Sequence, residues 1–104
     1  MVKIMQTIKS IQKTLEPVFQ QHHVKKATLF GSYAKGTADA NSDIDLLVDS
    51  GLRGLQFFGL LEDVAVSFPQ PVDLIDTSQV SDVSQVMMEI KKSGIVIYEC
   101  PTAV

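Results

Sequence analysis

Apolar side chains recur every three or four positions in three stretches of the chain, a spacing that predicts amphipathic helices. The first helix runs from about Val2 to Gln20, the second from Gly54 to Phe68, and the third from Val80 to Lys92. Pro17 interrupts the first stretch, so either a kink falls there or a second short helix begins. The apolar positions are Ile4, Ile8, Ile11, Leu15 and Val18, then Phe57, Leu60, Leu61, Val64, Ala65 and Phe68, and finally Val80, Val83, Val86, Met87 and Ile90.

Four shorter apolar segments predict β-strands. They are Ala27 to Phe30, Asp43 to Asp49, Val72 to Asp76 and Ile95 to Tyr98. In the second segment, Ile44, Leu46 and Val48 share one face of the strand and the acidic residues share the other. A turn of helix over Ser32 to Lys35, closed by Gly36 in a left-handed conformation, follows the first strand. The order α-β-α-β-α-β-α-β predicts an α/β domain with a sheet of about four strands covered by helices.

Length and composition fit a single domain that spans residues 1–104. A chain of 104 residues has room for one core, and 45% apolar with 20% charged residues is typical of a globular protein. No apolar run is long enough to span a membrane. The net charge of −3 and the scattered lysines disfavour direct binding to nucleic acid. Cys100 is the only cysteine, so no internal disulfide can form, which suits a cytoplasmic protein.

Three aspartates on two of the predicted strands indicate a metal site. Asp43 and Asp45 are two positions apart, so both carboxylates project from one face of the strand, about 6.6 Å apart at their Cα atoms. By itself, such a pair is more typical of an exposed acidic face. Asp73 changes this interpretation, because a neighbouring strand would bring a third carboxylate to the same patch, where only cations such as Mg²⁺ relieve the repulsion. Asp76 has the opposite parity and is expected to cap the helix that follows it.

The Gly31-Ser32 pair, between the first strand and the short helix, offers a place for phosphate. The backbone N–H groups at a helix start have no helical partner, and glycine lets a phosphate approach the backbone closely. A Gly-Ser pair after a strand is more often only a turn. Beside a metal site, however, the same pair predicts a triphosphate-binding loop.

Three other candidate sites lack a defining residue. The segment "GSYAKGT" has the glycine spacing of a P-loop, but Thr37 stands where that motif needs lysine. The acidic loop before the second strand imitates an EF-hand, yet Ile44 replaces the turn glycine and Ser50 the bidentate glutamate. His22 and His23 point in different directions with no third ligand nearby, so a solvated helix end is favoured over a metal site.

Three motifs taken together, "GSYAKG", "SDIDLLVD" and "VDLID", resemble the pattern of the nucleotidyltransferase superfamily that shares its fold with the palm of DNA polymerase beta. The resemblance covers roughly Val24 to Tyr98 and implies a small mixed sheet of about four strands. The short length resembles the minimal nucleotidyltransferases of this superfamily. These single-domain proteins are paired, in bacteria and archaea, with a helical HEPN-domain ribonuclease toxin.

The resemblance implies a role for each residue of the motifs. It implies catalysis and metal binding for Asp43, Asp45 and Asp73, and nucleotide binding for Gly31, Ser32, Lys35 and Ser42. Two Mg²⁺ ions would then clamp the attacking and departing oxygens during in-line attack on the α-phosphate of a nucleoside triphosphate. Lys35 stands where many relatives carry arginine, so the charge is kept but the planar bidentate fork is lost.

The family likeness also implies the substrate and the partner. It implies an antitoxin that transfers AMP from ATP to a hydroxyl, expected to be a tyrosine, of a cognate HEPN toxin and so forms a hetero-oligomer with it. Two alternatives remain. The protein could neutralise its partner by binding alone, with a vestigial nucleotide site, or it could modify a small molecule such as an aminoglycoside.

Overall fold

The computed structural model describes residues 6–81 and 83–100. Its elements alternate as the sequence predicts, with one additional 3₁₀ turn at Thr77–Gln79. The helices are α1 (Ile8–Gln21), α2 (Gly31–Lys35), α3 (Leu55–Ala65) and α4 (Gln85–Ser93), and the strands are β1 (Lys26–Phe30), β2 (Ile44–Asp49), β3 (Val72–Asp76) and β4 (Ile95–Glu99). None of the helices in these described ranges has the length and apolar character that crossing a bilayer requires.

The four strands form one mixed sheet in the order β3-β2-β1-β4. Strand β1 is antiparallel to both β2 and β4, and β2 is parallel to β3. The parallel pair is joined through α3, the kind of helical crossover that parallel neighbours need. The predicted fold class is confirmed, and the parallel register places Asp45 directly beside Asp73.

One face of the sheet packs against α1 and α3 and contains the hydrophobic core. The alternation predicted for β2 is confirmed, because Ile44, Leu46 and Val48 are fully buried there. Burial of these β-branched and leucine side chains supplies much of the driving force for folding. The rest of the core cluster is Ile11, Leu15, Phe19, Val24, Ala27, Leu29, Tyr33, Leu60, Val64, Phe68, Leu74 and Ile97.

The opposite face of the sheet carries Asp45 and Asp49 of β2 and Asp73 of β3. Helix α4 packs on this face next to β1 and contacts α2. Phe30 and Leu47 are buried on this face outside the main core cluster. Asp45 is half-buried and Asp73 is exposed. The second face therefore stays accessible where β2 and β3 meet.

The first helix continues through Pro17 as one element, so the alternative of a second short helix is wrong. Buried side chains on both sides of the proline hold the helix against the sheet, while Pro17 itself is exposed. Thr7 caps the helix in a reciprocal pair: its Oγ1 accepts a hydrogen bond from Ser10 N at 3.0 Å, and Ser10 Oγ accepts one from Thr7 N at 2.9 Å. Helix α1 begins at Ile8, so the predicted helix is wrong for Gln6 and Thr7, and the part that covers residues 2–5 lies outside the described residues.

Helix α4 begins at Gln85, later than the start near Val80 that the spacing predicts. The 3₁₀ turn after β3 takes up part of the intervening chain, and Ser84 then caps α4 by accepting a hydrogen bond from Met87 N at 3.2 Å. Val83, predicted to lie on the buried face, is 84% exposed. Helical spacing alone did not show that a separate turn comes first.

Two further expectations, about the ends of α3 and α1, are corrected. Helix α3 ends at Ala65 instead of Phe68, although Phe68 still packs in the core. His22 Nε2 lies 2.7 Å from Asp63 Oδ2, so the expectation of a solvated helix end is wrong for His22. The two residues are far apart in the sequence, and only the packing of the two helices brings them together.

Candidate active site

Asp45 and Asp73 lie side by side in the parallel β2–β3 pair. Burial raises the pKa of Asp45 from its ordinary 3.8 to about 6, together with the charge of Asp73 and a hydrogen bond between the two carboxyl groups. The charges of Asp43 and Glu89 act in the same direction. Near neutral pH the pair therefore concentrates negative charge that a cation would stabilise.

Asp43 immediately precedes β2 and is exposed. Within residues 6–81 and 83–100, no three His, Cys, Asp or Glu side chains are arranged to hold a metal ion. The donor set nevertheless fits Mg²⁺, which usually takes one or two carboxylates from the protein and completes its shell with water and substrate phosphates. The fold brings Asp45 and Asp73 together, and the metal-binding role of all three aspartates stays a prediction.

Gly31 begins α2 directly after β1 and lies against the carboxylate of Asp45. Its φ of +71° is in the left-handed region that favours glycine. A Cβ atom on Gly31 would lie 3.1 Å from Asp45 Cγ and would collide with a carboxylate oxygen. The backbone of Gly31, at the start of α2, therefore lies close to the Asp45 carboxylate. The turn and the carboxylates, which are separate in the sequence, meet at one place in the fold.

Lys35 lies in the last turn of α2, which ends at Gly36 in the predicted left-handed conformation. Its Nζ is 2.8 Å from Oε1 of Glu89 on α4. Glu89 also adds to the negative field at Asp45. No motif in the sequence singled out Glu89, because its importance comes from the packing of α4 beside α2. The predicted phosphate-binding role of Lys35 would require it to share its charge between Glu89 and the nucleotide.

Ser42 closes a tight turn before β2. Its Oγ accepts a hydrogen bond from Asp39 N at 2.9 Å, and its own N donates to Asp39 O at 3.1 Å. Asn41 N donates to Asp39 Oδ1 at 2.8 Å in the same turn. The Ser42 hydroxyl thus supports the loop that leads into Asp43, and its contact with a nucleotide stays a prediction.

Asp76 lies at the far end of β3 and is 4% exposed. It accepts hydrogen bonds from N and Oγ of Ser50 at 3.1 and 2.6 Å, and from N and Oγ of Ser78 at 3.0 and 2.6 Å. Burial alone would raise the pKa of Asp76, but the hydrogen bonds from Ser50 and Ser78 outweigh burial and lower it below its usual range. The prediction that Asp76 is a cap is confirmed, and it caps the 3₁₀ turn.

A groove of about 420 Å³ lies on the same face of the sheet as the acidic pair. Its apolar lining comes from Leu47, Met87, Ile90 and Val96, and Lys26 and Lys91 are among its polar lining residues. The groove is assembled from strands β1, β2 and β4, helix α4 and the 3₁₀ turn. No local motif in the sequence could have revealed it.

Comparison with known proteins places the chain among nucleotidyltransferases. A family model described as "Polymerase beta, Nucleotidyltransferase" matches residues 13–102. A Methanocaldococcus jannaschii protein, whose name provisionally assigns it protein adenylyltransferase activity, is 43% identical over 44 residues. That match covers 42% of this chain and 47% of the relative, so the chain spans about half the length of this curated relative.

Solved structures share the fold. A chain in a toxin–antitoxin complex with AMP-PNP aligns with a TM-score of 0.71 and 24% identity, over 86% of this chain and 74% of that chain. A chain in the complex of a tri-AMPylated Shewanella oneidensis HEPN toxin with an MNT antitoxin aligns with a TM-score of 0.63 and 19% identity, over 90% and 74% of the two chains. Because the family model covers most of its length, the chain belongs to the polymerase beta nucleotidyltransferase family.

Proposed function

We propose that this protein transfers AMP from ATP to a tyrosine hydroxyl of a HEPN-domain toxin and thereby neutralises the toxin. The observation that carries the proposal is the Asp45–Asp73 pair, packed so closely against Gly31 that a Cβ there would collide with the Asp45 carboxylate. Membership of the family supports nucleotidyl transfer. The name of the Methanocaldococcus relative and the AMP-modified toxin of the Shewanella complex support AMP as the transferred group and a HEPN protein as its acceptor.

In the proposed reaction, the hydroxyl oxygen of the acceptor attacks the α-phosphorus of ATP. A bond forms between this oxygen and phosphorus while the bond from phosphorus to the oxygen that bridges to the β-phosphate breaks, and pyrophosphate leaves. The backbone N–H groups of Gly31 and Ser32 hold the departing pyrophosphate, and Lys35 contributes positive charge from the end of the same short helix. The hydroxyl proton passes to the carboxylate of Asp73, which is exposed and available to accept it.

The carboxylates of Asp43, Asp45 and Asp73 would hold Mg²⁺, with two ions as the family resemblance implies. The metal would neutralise the charge that develops on the attacking and departing oxygens. The raised pKa of Asp45 supports this assignment, because a carboxylate whose neighbours repel its charge gains most from a bound cation. Ser42 would act through the turn that presents Asp43. The protein would act in the cytoplasm, as a hetero-oligomer with its toxin.

The test is a transfer assay with this protein and a HEPN-domain toxin offered as its candidate partner. The two are mixed with MgCl₂ and ATP labelled at the α-phosphate, and the label, the intact masses and the ribonuclease activity are followed. We expect the partner to gain one or more AMP units and to lose its ribonuclease activity. Asp73→Asn should slow transfer at least about 100-fold, because a positioned proton acceptor contributes on that order. Glu62→Gln, an exposed carboxylate on α3, is the matched control and should transfer normally.

Three results would overturn the proposal. A partner that stays unlabelled, although its ribonuclease is inhibited in a stable complex, would show that the protein neutralises by binding alone. Normal neutralisation by an Asp43→Asn, Asp45→Asn double variant would point the same way. Label on an aminoglycoside, with none on the partner, would make the acceptor a small molecule.

A further inference from the structure

The groove beside the acidic pair is aligned with the candidate active site along the direction of β2. Leu47 and Asp49 follow Asp45 on the same face of this strand, in steps of about 6.6 Å, and both line the groove. Gly31 lies on the other side of Asp45, where β1 ends opposite the start of β2. The order along the sheet face is therefore the Gly31 turn, the Asp45–Asp73 pair and then the groove.

This order has a consequence for the proposed transfer, on which the inference rests. In phosphoryl transfer, the attacking oxygen, the phosphorus and the departing oxygen lie roughly in line. Pyrophosphate held at the Gly31 turn would leave toward one side of the Asp45–Asp73 pair. The acceptor must then approach from the opposite side, and the groove is the concave surface that begins there, two residues along β2 at Leu47.

The chemistry of the groove fits an aromatic acceptor. Leu47 forms part of a packed floor and is only 6% exposed, while Val96 on the edge strand β4 is 46% exposed. Lys26 and Lys91 at the groove form no ion pair with any other described residue. Two cationic side chains against one carboxylate, that of Asp49, give the groove a net positive charge. An apolar floor with positive charge beside it suits a phenol ring with acidic neighbours.

We propose that this groove is the acceptor subsite, in which the tyrosine ring of the partner packs over Leu47 and acidic side chains of the partner bind near Lys26 and Lys91. The tyrosine hydroxyl then points along β2 toward the Asp45–Asp73 pair. Helix α4 forms a wall of this subsite, so α4 contributes both to the ion pair with Lys35 and to the choice of partner.

One single and one double variant test the subsite by steady-state transfer to the candidate HEPN-domain partner. Val96→Phe narrows the groove while keeping a residue that strands favour. The double variant Lys26→Gln, Lys91→Gln removes the positive charge without removing side-chain length. The double variant should raise KM for the partner protein about tenfold, the combined effect expected for two modest contacts, and Val96→Phe should raise it by a similar factor because it narrows the groove. Both variants should leave KM for ATP unchanged. The double variant should also reduce the salt dependence of partner KM.

Matched controls are available on the other side of the sheet. Val66→Phe makes the same enlargement at an exposed position after α3, and Lys13→Gln removes an exposed charge from α1. Both controls should keep the wild-type KM for the partner. Thermal unfolding of every variant establishes that it is folded. If Val96→Phe fails to fold, the double lysine variant still decides the test, because Lys26 and Lys91 are exposed and their replacement should not disturb the core.

Each of the other outcomes overturns the inference. If the wild type transfers AMP but both groove variants keep its partner KM, the groove is not the acceptor subsite and the proposed function stands. If KM for ATP rises and partner KM does not, the groove binds the nucleotide base. If the wild type transfers nothing, the proposed function and the subsite fail together.

Discussion

The two ends of the parallel β2–β3 pair shift the pKa of a carboxyl group in opposite directions. At one end, Asp76 is almost fully buried and accepts hydrogen bonds from Ser50 and Ser78, and these lower its pKa. At the other end, Asp45 faces the carboxylate of Asp73, and its pKa rises to about 6. The same pair of strands thus holds one carboxylate that stabilises the fold and another whose charge is left uncompensated by the described residues. Such uncompensated charge is typical of functional sites.

The largest expected effect comes from removing Asp76, the carboxylate whose hydrogen bonds are satisfied. Asp76→Ala should lower the free energy of unfolding by about 2–4 kcal/mol, because it leaves buried donors of Ser50 without their acceptor. Urea unfolding with an unchanged m-value measures this loss. The wild type should keep the contribution of Asp76 above about pH 4 and lose it as the pH falls through its lowered folded-state pKa. A loss below about 0.5 kcal/mol would mean that these hydrogen bonds contribute little.

An intermediate effect should separate backbone strain at a glycine from the contact between Gly31 and Asp45. Gly31→Ala and Gly36→Ala both place a side chain at positive φ, +71° and +77°, and each should cost about 1–2 kcal/mol of stability. Only the Cβ at position 31 collides with Asp45, whereas the one at position 36 meets nothing within 4 Å. Gly31→Ala should therefore slow the proposed AMP transfer about 100-fold, while Gly36→Ala should keep the wild-type rate. Equal rates in a single-turnover assay would show that the Gly31–Asp45 contact does not matter for transfer.

The smallest expected effect is a gain in the free energy of unfolding instead of a loss. Asp45→Asn should stabilise the metal-free protein at pH 7.5 by about 1 kcal/mol, once solvent screening at this half-buried position is counted. As the pH rises from 3.8 to about 6, the folded state keeps a proton that the unfolded state has lost. The wild type therefore loses stability across this window. Urea unfolding in EDTA should show a smaller advantage of Asp45→Asn at pH 4.5 than at pH 7.5, and an equal advantage would argue against charge repulsion as its cause.

Much of the fold could be predicted because its signals are local. Alternation in β2 predicted the buried faces of Ile44, Leu46 and Val48, and all three are buried. The helical spacing of apolar residues predicted the segment between β3 and α4 less accurately. Val80 and Val83 match a helical pattern, but the cap at Asp76 starts a 3₁₀ turn, so α4 begins at Gln85. A helical pattern shows which residues could share a face and does not show where a competing turn takes the chain.

The candidate site was predictable only in part. The motifs identified Gly31, Asp45 and Asp73, and the structure brings these three together. The roles of Ser42 and Lys35 in nucleotide binding stay predictions, since Ser42 supports a turn and Lys35 pairs with Glu89. Glu89 and the groove carried no signal in the sequence, because both depend on how α4 packs against α2 and the sheet.

The sequence by itself determined the strands, the left-handed conformation of Gly36 and the order of the motifs, because these depend on residues a few positions apart. Only the tertiary structure decided that Asp45 lies beside Asp73 and against Gly31. It also decided that the pKa of Asp45 rises while that of Asp76 falls, although both are aspartates on neighbouring strands. A pKa depends on burial and on the groups in contact, and those contacts join residues that are distant in the chain.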